Sequence, residues 1–104
     1  NLSNLFVVVD CNGHQNDGAI NKMMSYIEMK KKWKGFGWHV NSCDGHNIPD
    51  LIKAFKKNSK TKPTAIIVKT IKGKGVNFME NNNDWHHGRV TKKIYDEAIK
   101  SLNK

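Results

Sequence analysis

Apolar residues along this chain recur in two ways, as short continuous runs and as stripes with helical spacing. The run "LFVVVD" (5–10) is rich in β-branched residues and predicts a strand buried on both faces. "TAIIVKT" (64–70) has the same character, and "WHVNSCD" (38–44) predicts a strand between the two. Ile20, Met23, Met24 and Ile27 fall at i, i+3, i+4 and i+7, one face of a helix. "MKKKWKG" (29–35) continues that helix or starts another, with its lysines on a solvated face and Gly35 and Gly37 as stop signals. Ile48, Leu51, Ile52 and Phe55 form the cleanest stripe. Asn47 is placed to cap that helix, Pro49 sits in its first turn, and Asp50 suits the positive end of the dipole. Thr91 caps a last helix carrying Ile94, Tyr95, Ala98 and Leu102.

The order β-loop-α-β-α-β-loop-α predicts an α/β fold, a parallel sheet with helices on its faces. Three strands leave both sheet edges open. Ligands in open α/β sheets gather at the carboxyl ends of strands. Both unusual polar segments of the chain, 10–18 and 71–88, follow the ends of expected strands.

Length and composition narrow this picture. The 104 residues make at most one domain, and 38% apolar content makes a lean core. No apolar run approaches the roughly 20 residues of a membrane helix, and no secretory signal pattern is present. The chain opens without Met, almost directly into a strand, which reads as a piece of something longer or a processed chain. Cys11 and Cys43 are too few for a disulfide framework and read as reduced thiols of a cytoplasmic protein. The net charge of +9 invites nucleic acid as a partner, but Arg89 is the only Arg among 18 positive residues. Base and phosphate readers favour the bidentate Arg fork. Asn is abundant alongside Lys, so the charge reads as compositional drift and argues against a nucleic-acid partner.

The segment "VVVDCNGHQNDG" (7–18) is rich in oxygen donors: Asp10, Asn12 and Asp17 by their side chains, and the Gly-containing backbone by its carbonyls. Hard cations such as Mg²⁺ or Ca²⁺ take that oxygen set. The spacing excludes an EF-hand. A zinc site through His14, His86 and His87 is an alternative from composition alone, and a plain exposed turn is another. In 71–88, "KGKG" (72–75) offers close backbone approach and lysines that attract anions, without the Walker pattern. "DWHHG" (84–88) places two imidazoles in an irregular segment, either as functional groups or as a surface pair.

The phrases "VVDCNGHQNDG", "KKWKGFGWHVNSCDGHN", "KPTAIIVKTIKGKGVNFMENNNDWHHG" and "YDEAIKSL" together resemble the C-terminal stretch of the amino-terminal subunit of split bacterial transketolases. The likeness spans essentially all 104 residues, in order. It implies a partial thiamine diphosphate-binding fold, with residues 1–104 the C-terminal part of the diphosphate-binding domain. It implies a transferase that moves a two-carbon ketol unit between sugar phosphates, as in the pentose phosphate pathway, with thiamine diphosphate and Mg²⁺ (or Ca²⁺) as cofactors. By the same resemblance, Asn12 gives its side-chain oxygen to the metal and lies near the diphosphate. His14 gives its backbone carbonyl to the metal. His87 is the histidine that contacts cofactor and substrate, with His86 the neighbour one residue out of register.

Two departures stand out. Asn16 occupies a position that is usually aliphatic, and the Gly-Asp-Gly half of the cofactor motif lies outside the chain. The implied partners are therefore the C-terminal transketolase subunit, the missing N-terminal segment, or both, in a homodimer or heterotetramer. A 1-deoxyxylulose-5-phosphate synthase-like enzyme shares the "KGKG…HG" segment, but "FMENN…W" favours transketolase. The reading from a different class is a non-catalytic basic module for anions or nucleic acid.

Overall fold

The computed structural model describes residues 2–15, 18–19 and 26–104. The stripe residues Ile20, Met23 and Met24, and the polar residues Asn16 and Asp17, lie outside the described residues. The chain divides into two compact units, Asn1–Asn12 with Asn21–Thr70, and Gly13–Ile20 with Ile71–Lys104.

The first unit is built on a parallel sheet of β1 (Phe6–Cys11), β4 (His39–Asp44) and β5 (Thr64–Lys69), in the order β1-β5-β4. The last strand in sequence is the central one. Phe6 and His39 both register with Thr64, and Cys11 and Asp44 both register with Lys69. The three carboxyl ends are therefore level. β5 is buried from Thr64 to Val68, as its apolar run predicts. β1 corrects the expectation of burial on both faces: it is an edge strand, and Val8 is 50% exposed. Two runs of similar apolar character thus meet different fates. Only the strand with neighbours on both sides, and helices packed over it, is shut off from water.

Helix α1 (Tyr26–Gly35) and helix α2 (Ile48–Lys56) pack against this sheet. The Tyr26 hydroxyl donates to the Ile67 carbonyl at 3.2 Å. The lysines of α1 are largely exposed and Gly37 takes φ +83 just beyond its end, so the stop signals act as expected. Asn47 caps α2 by accepting from Asp50 N–H. Ala54 of α2 joins Ile66 and Val68 in the core, with Phe6, Cys43 and Leu51 against them. The stripe on α2 is only partly used: Ile48 is 65% exposed and Ile52 50%. At the far end of α2, Asn41 Nδ2 donates to the Ala54 carbonyl at 2.9 Å and also to the Lys57 carbonyl. These side-chain donors satisfy carbonyls that the end of a helix leaves without an intrahelical partner.

In the second unit, β2 (His14–Gln15) pairs antiparallel with β3 (Gly18–Ala19). A polar loop was the expectation for 10–18; two residues of it complete β1 and four residues, ending at Ala19, form this short ladder. The segment 71–88 is irregular as expected, apart from a 3-10 helix over Asn83–His86. Helix α3 (Lys92–Leu102) is capped by Thr91, whose hydroxyl accepts from Ile94 N–H. Among the described residues, no helix is long and apolar enough to cross a membrane.

Candidate functional site

At the carboxyl end of the parallel sheet, three residues from three strand ends interlock. The Thr70 hydroxyl, one position past β5, donates to Oδ1 of Asp10 near the end of β1. Thr70 N–H bonds the Cys11 carbonyl at 3.4 Å. On the other side, Gly45 follows β4, and its N–H bonds the Lys69 carbonyl at 2.8 Å. A Cβ on Gly45 would fall 2.4 Å from the Thr70 methyl, so only glycine fits without moving Thr70. Asn12 follows immediately after β1 and is half-buried. Asp10 has one carboxylate oxygen committed to Thr70, which changes its reading as an open metal ligand. Both thiols are raised above their ordinary value, mainly by partial burial, with Asp10 adding to the effect at Cys11 and Asp50 and Asp44 at Cys43. A raised thiol holds its proton more tightly than an ordinary cysteine.

The other polar residues belong to the second unit. The turn at 72–75 is tight. Gly73 takes φ +74, and a Cβ there would fall 2.5 Å from the Met79 carbonyl oxygen. That approach closes the turn through the Asn81 N–H bond to the Lys72 carbonyl at 2.9 Å. Gly75 N–H bonds Glu80 Oε1 at 3.0 Å, and Lys74 sits 4.0 Å from the same oxygen. Ser101 of α3 donates to the Gly75 carbonyl at 2.9 Å and accepts from Asn77 N–H at 3.1 Å. The glycine turn is therefore braced from behind.

Asn82 caps the 3-10 helix by accepting from Asp84 N–H at 3.0 Å. Trp85 stacks edge-on against Phe78 at 5.5 Å, and Gly88 closes over the Trp85 ring. This brings the rings of His86 and His87 together at 4.5 Å, nearly perpendicular, with both side chains exposed. Lys72 Nζ lies 3.2 Å from His86 Nδ1. Desolvation, then the Lys72 ammonium, then the His87 ring hold His86 below the ordinary imidazole value.

The sequence-derived candidates divide as follows. Asn12 stands at the end of β1, where the α/β argument places ligands. His14 opens β2, half-buried, with Ala19 opposite. His87 closes the 3-10 helix beside His86. Among the described residues, no group of three or more His, Cys, Asp or Glu side chains is disposed to hold a metal ion, so the zinc alternative has no cluster there. The Asn12 side-chain amide and the His14 main-chain carbonyl are each hard oxygen donors by type. Sequence reasoning flagged the lysines of "KGKG" but not the contact of Lys72 with His86. It passed over Thr70, Glu80 and Ser101, whose partners are not their neighbours in sequence.

Comparison with known proteins places the architecture. The fold superposes on a crystal structure of transketolase from Campylobacter jejuni with a TM-score of 0.85, covering 98% of this chain and 16% of that one at 24% identity. The parallel sheet with its helices is thus part of a transketolase-type α/β fold. Residues 1–102 match the family model described as transketolase, thiamine diphosphate binding domain, and the chain belongs to that family. It is 38% identical to one subunit of the apulose-4-phosphate transketolase of Phocaeicola vulgatus, over 98% of its own length and 37% of that protein. It is 35% identical to one subunit of the 6-deoxy-6-sulfo-D-fructose transketolase of a Clostridium species, over 99% of this chain and 38% of that one. With human transketolase the identity is 34%, over 97% of this chain and 16% of the human enzyme. The chain therefore spans well under half the length of these relatives.

Proposed function

We propose that this chain supplies part of the thiamine diphosphate and Mg²⁺ site of a transketolase that moves a two-carbon ketol unit between sugar phosphates. In this reading residues 1–104 are the C-terminal part of the diphosphate-binding domain. The observation that carries it is the family match over 1–102, together with Asn12 at the carboxyl end of β1.

Asn12 would give its amide oxygen to the cation and His14 its main-chain carbonyl. Mg²⁺ takes about six oxygens, so further ligands would come from the diphosphate and from groups outside this pair. When bound, thiamine diphosphate supplies the electron sink that lets a ketose carbon–carbon bond break. The chain's own residues then orient and handle protons. The His87 imidazole would contact cofactor and substrate, where it could donate to a sugar hydroxyl or a phosphate. Lys72 brings positive charge next to the His86–His87 pair, which suits anionic ligands. A partner chain completes the site, in keeping with relatives whose names mark them as subunits of transketolases. The assembly is a homodimer or heterotetramer, and its place is the cytoplasm.

Titration of the complete assembly with thiamine diphosphate, with and without Mg²⁺, tests the reading, followed by a ketol-transfer assay. Metal-dependent binding that Asn12→Ala abolishes is expected. Binding that ignores Mg²⁺, or survives in the Asn12→Ala protein, would overturn it.

A further inference from the structure

We infer that Thr70 is a positioning residue for the cation site: its side chain is wedged between Asp10 and Gly45 and thereby fixes the end of β1 from which Asn12 projects. This rests on the reading of Asn12 as a metal ligand. It concerns residues that the family likeness does not assign.

β5 is central, so the residue just past its end is flanked by the ends of both β1 and β4. Thr70 has two different groups on Cβ, and each is used on a different side. The hydroxyl donates to the Asp10 carboxylate toward β1, and the methyl faces the bare Cα of Gly45 toward β4. β-Branching leaves the side chain few rotamers, so displacing the methyl also displaces the hydroxyl. Thr70 N–H adds a second tie to the Cys11 carbonyl, the residue directly before Asn12. Asn12 is the first residue after β1, bonded through the chain to Cys11. A residue that clamps Asp10 and Cys11 together therefore sets where Asn12 can point. A ligand set of few protein oxygens is sensitive to misplacement of about 1 Å in one of them.

Four variants in the complete assembly test this, each by calorimetric titration with thiamine diphosphate in the presence of Mg²⁺ and by a thermal melt. Thr70→Val keeps the shape and removes the hydroxyl; affinity should fall at least tenfold. Thr70→Ser keeps the hydroxyl; affinity should stay within twofold of the unmodified protein. Gly45→Ala pushes the Thr70 methyl and should lose affinity as Thr70→Val does. Gly45→Ala combined with Thr70→Ser removes the clashing methyl and should recover most of the loss. If Thr70→Val binds normally while Asn12→Ala does not, the positioning role is wrong and the functional reading stands. If Asn12→Ala itself binds normally, the functional reading falls and takes this inference with it. If the Ser variants fail to rescue affinity and the melts fall in step, Thr70 is merely structural and the inference is overturned.

Discussion

Lys72 donates a hydrogen bond from Nζ to Nδ1 of His86 at 3.2 Å. An ammonium can only donate, so the ring nitrogen must accept, and the imidazole facing it is neutral. His86 is shifted downward by desolvation first, and the Lys72 contact and then His87 add to it in the same direction.

Replacing Lys72 by Met should therefore move the His86 midpoint up toward the ordinary imidazole value, read by NMR from the ring protons across pH. An unmoved midpoint would show that Lys72 does not act on the ring. In the folded state His86 binds its proton less readily than in the unfolded chain. Its contribution is present above the ordinary imidazole range and is lost as pH falls through the lowered midpoint. In Lys72→Met that acid sensitivity should shrink.

Gly88 sets the second prediction. A Cβ there would fall 2.4 Å from Cε3 of Trp85, whose ring is also held against Phe78. Gly88→Ala should force the indole out of place and destabilise the second unit by about 1–3 kcal/mol, the usual cost of overpacking. Near-ultraviolet circular dichroism should lose part of its tryptophan signal. Under the proposed function, in which His87 contacts cofactor and substrate, the variant should also slow ketol transfer by the assembly more than its stability loss explains. An unchanged aromatic spectrum would contradict the packing.

These contacts mark the boundary of what the chain reveals on its own. Elements were legible: the caps at Asn47 and Thr91, the stop at Gly35 and the apolar run of β5 follow from local chemistry. The centre of the sheet was not. "LFVVVD" and "TAIIVKT" look alike, and nothing local says that the third strand inserts beside the first. The stripes on α2 and α3 were read correctly as helical, yet Ile48, Tyr95 and Leu102 remain exposed, because periodicity reports a face and not what covers it. The site was legible as candidate residue types at strand ends. Its bracing was hidden, since Thr70 meets Asp10 and Ser101 meets Gly75 across long stretches of chain.

Ser101 gives the third prediction. Its hydroxyl serves both the Gly75 carbonyl and the Asn77 N–H, and it is half-buried. Ser101→Ala takes this donor from the half-buried Gly75 carbonyl, at a cost of about 1 kcal/mol, while the exposed Asn77 N–H turns to water. Urea unfolding should show that loss, and hydrogen exchange at Asn77 should speed up. Slow exchange at Asn77 in the variant would mean another group holds the turn.

The sheet order can be tested by comparing two strands of similar apolar character. Ile66 is fully buried in central β5, against Ala54 and Val68. Ile66→Ala should cost about 2–5 kcal/mol and Ile66→Val about 0.5–1.5 kcal/mol, because a close-packed site collapses poorly around the space left behind. Val8 lies on edge strand β1 and is half-exposed, so much of its surface is already in water. Val8→Ala should therefore cost clearly less than Ile66→Ala, even after allowing for the smaller number of atoms removed. Urea denaturation of the three variants measures the differences directly. A Val8→Ala loss as large as that of Ile66→Ala would place β1 in the middle of the sheet and refute the order β1-β5-β4.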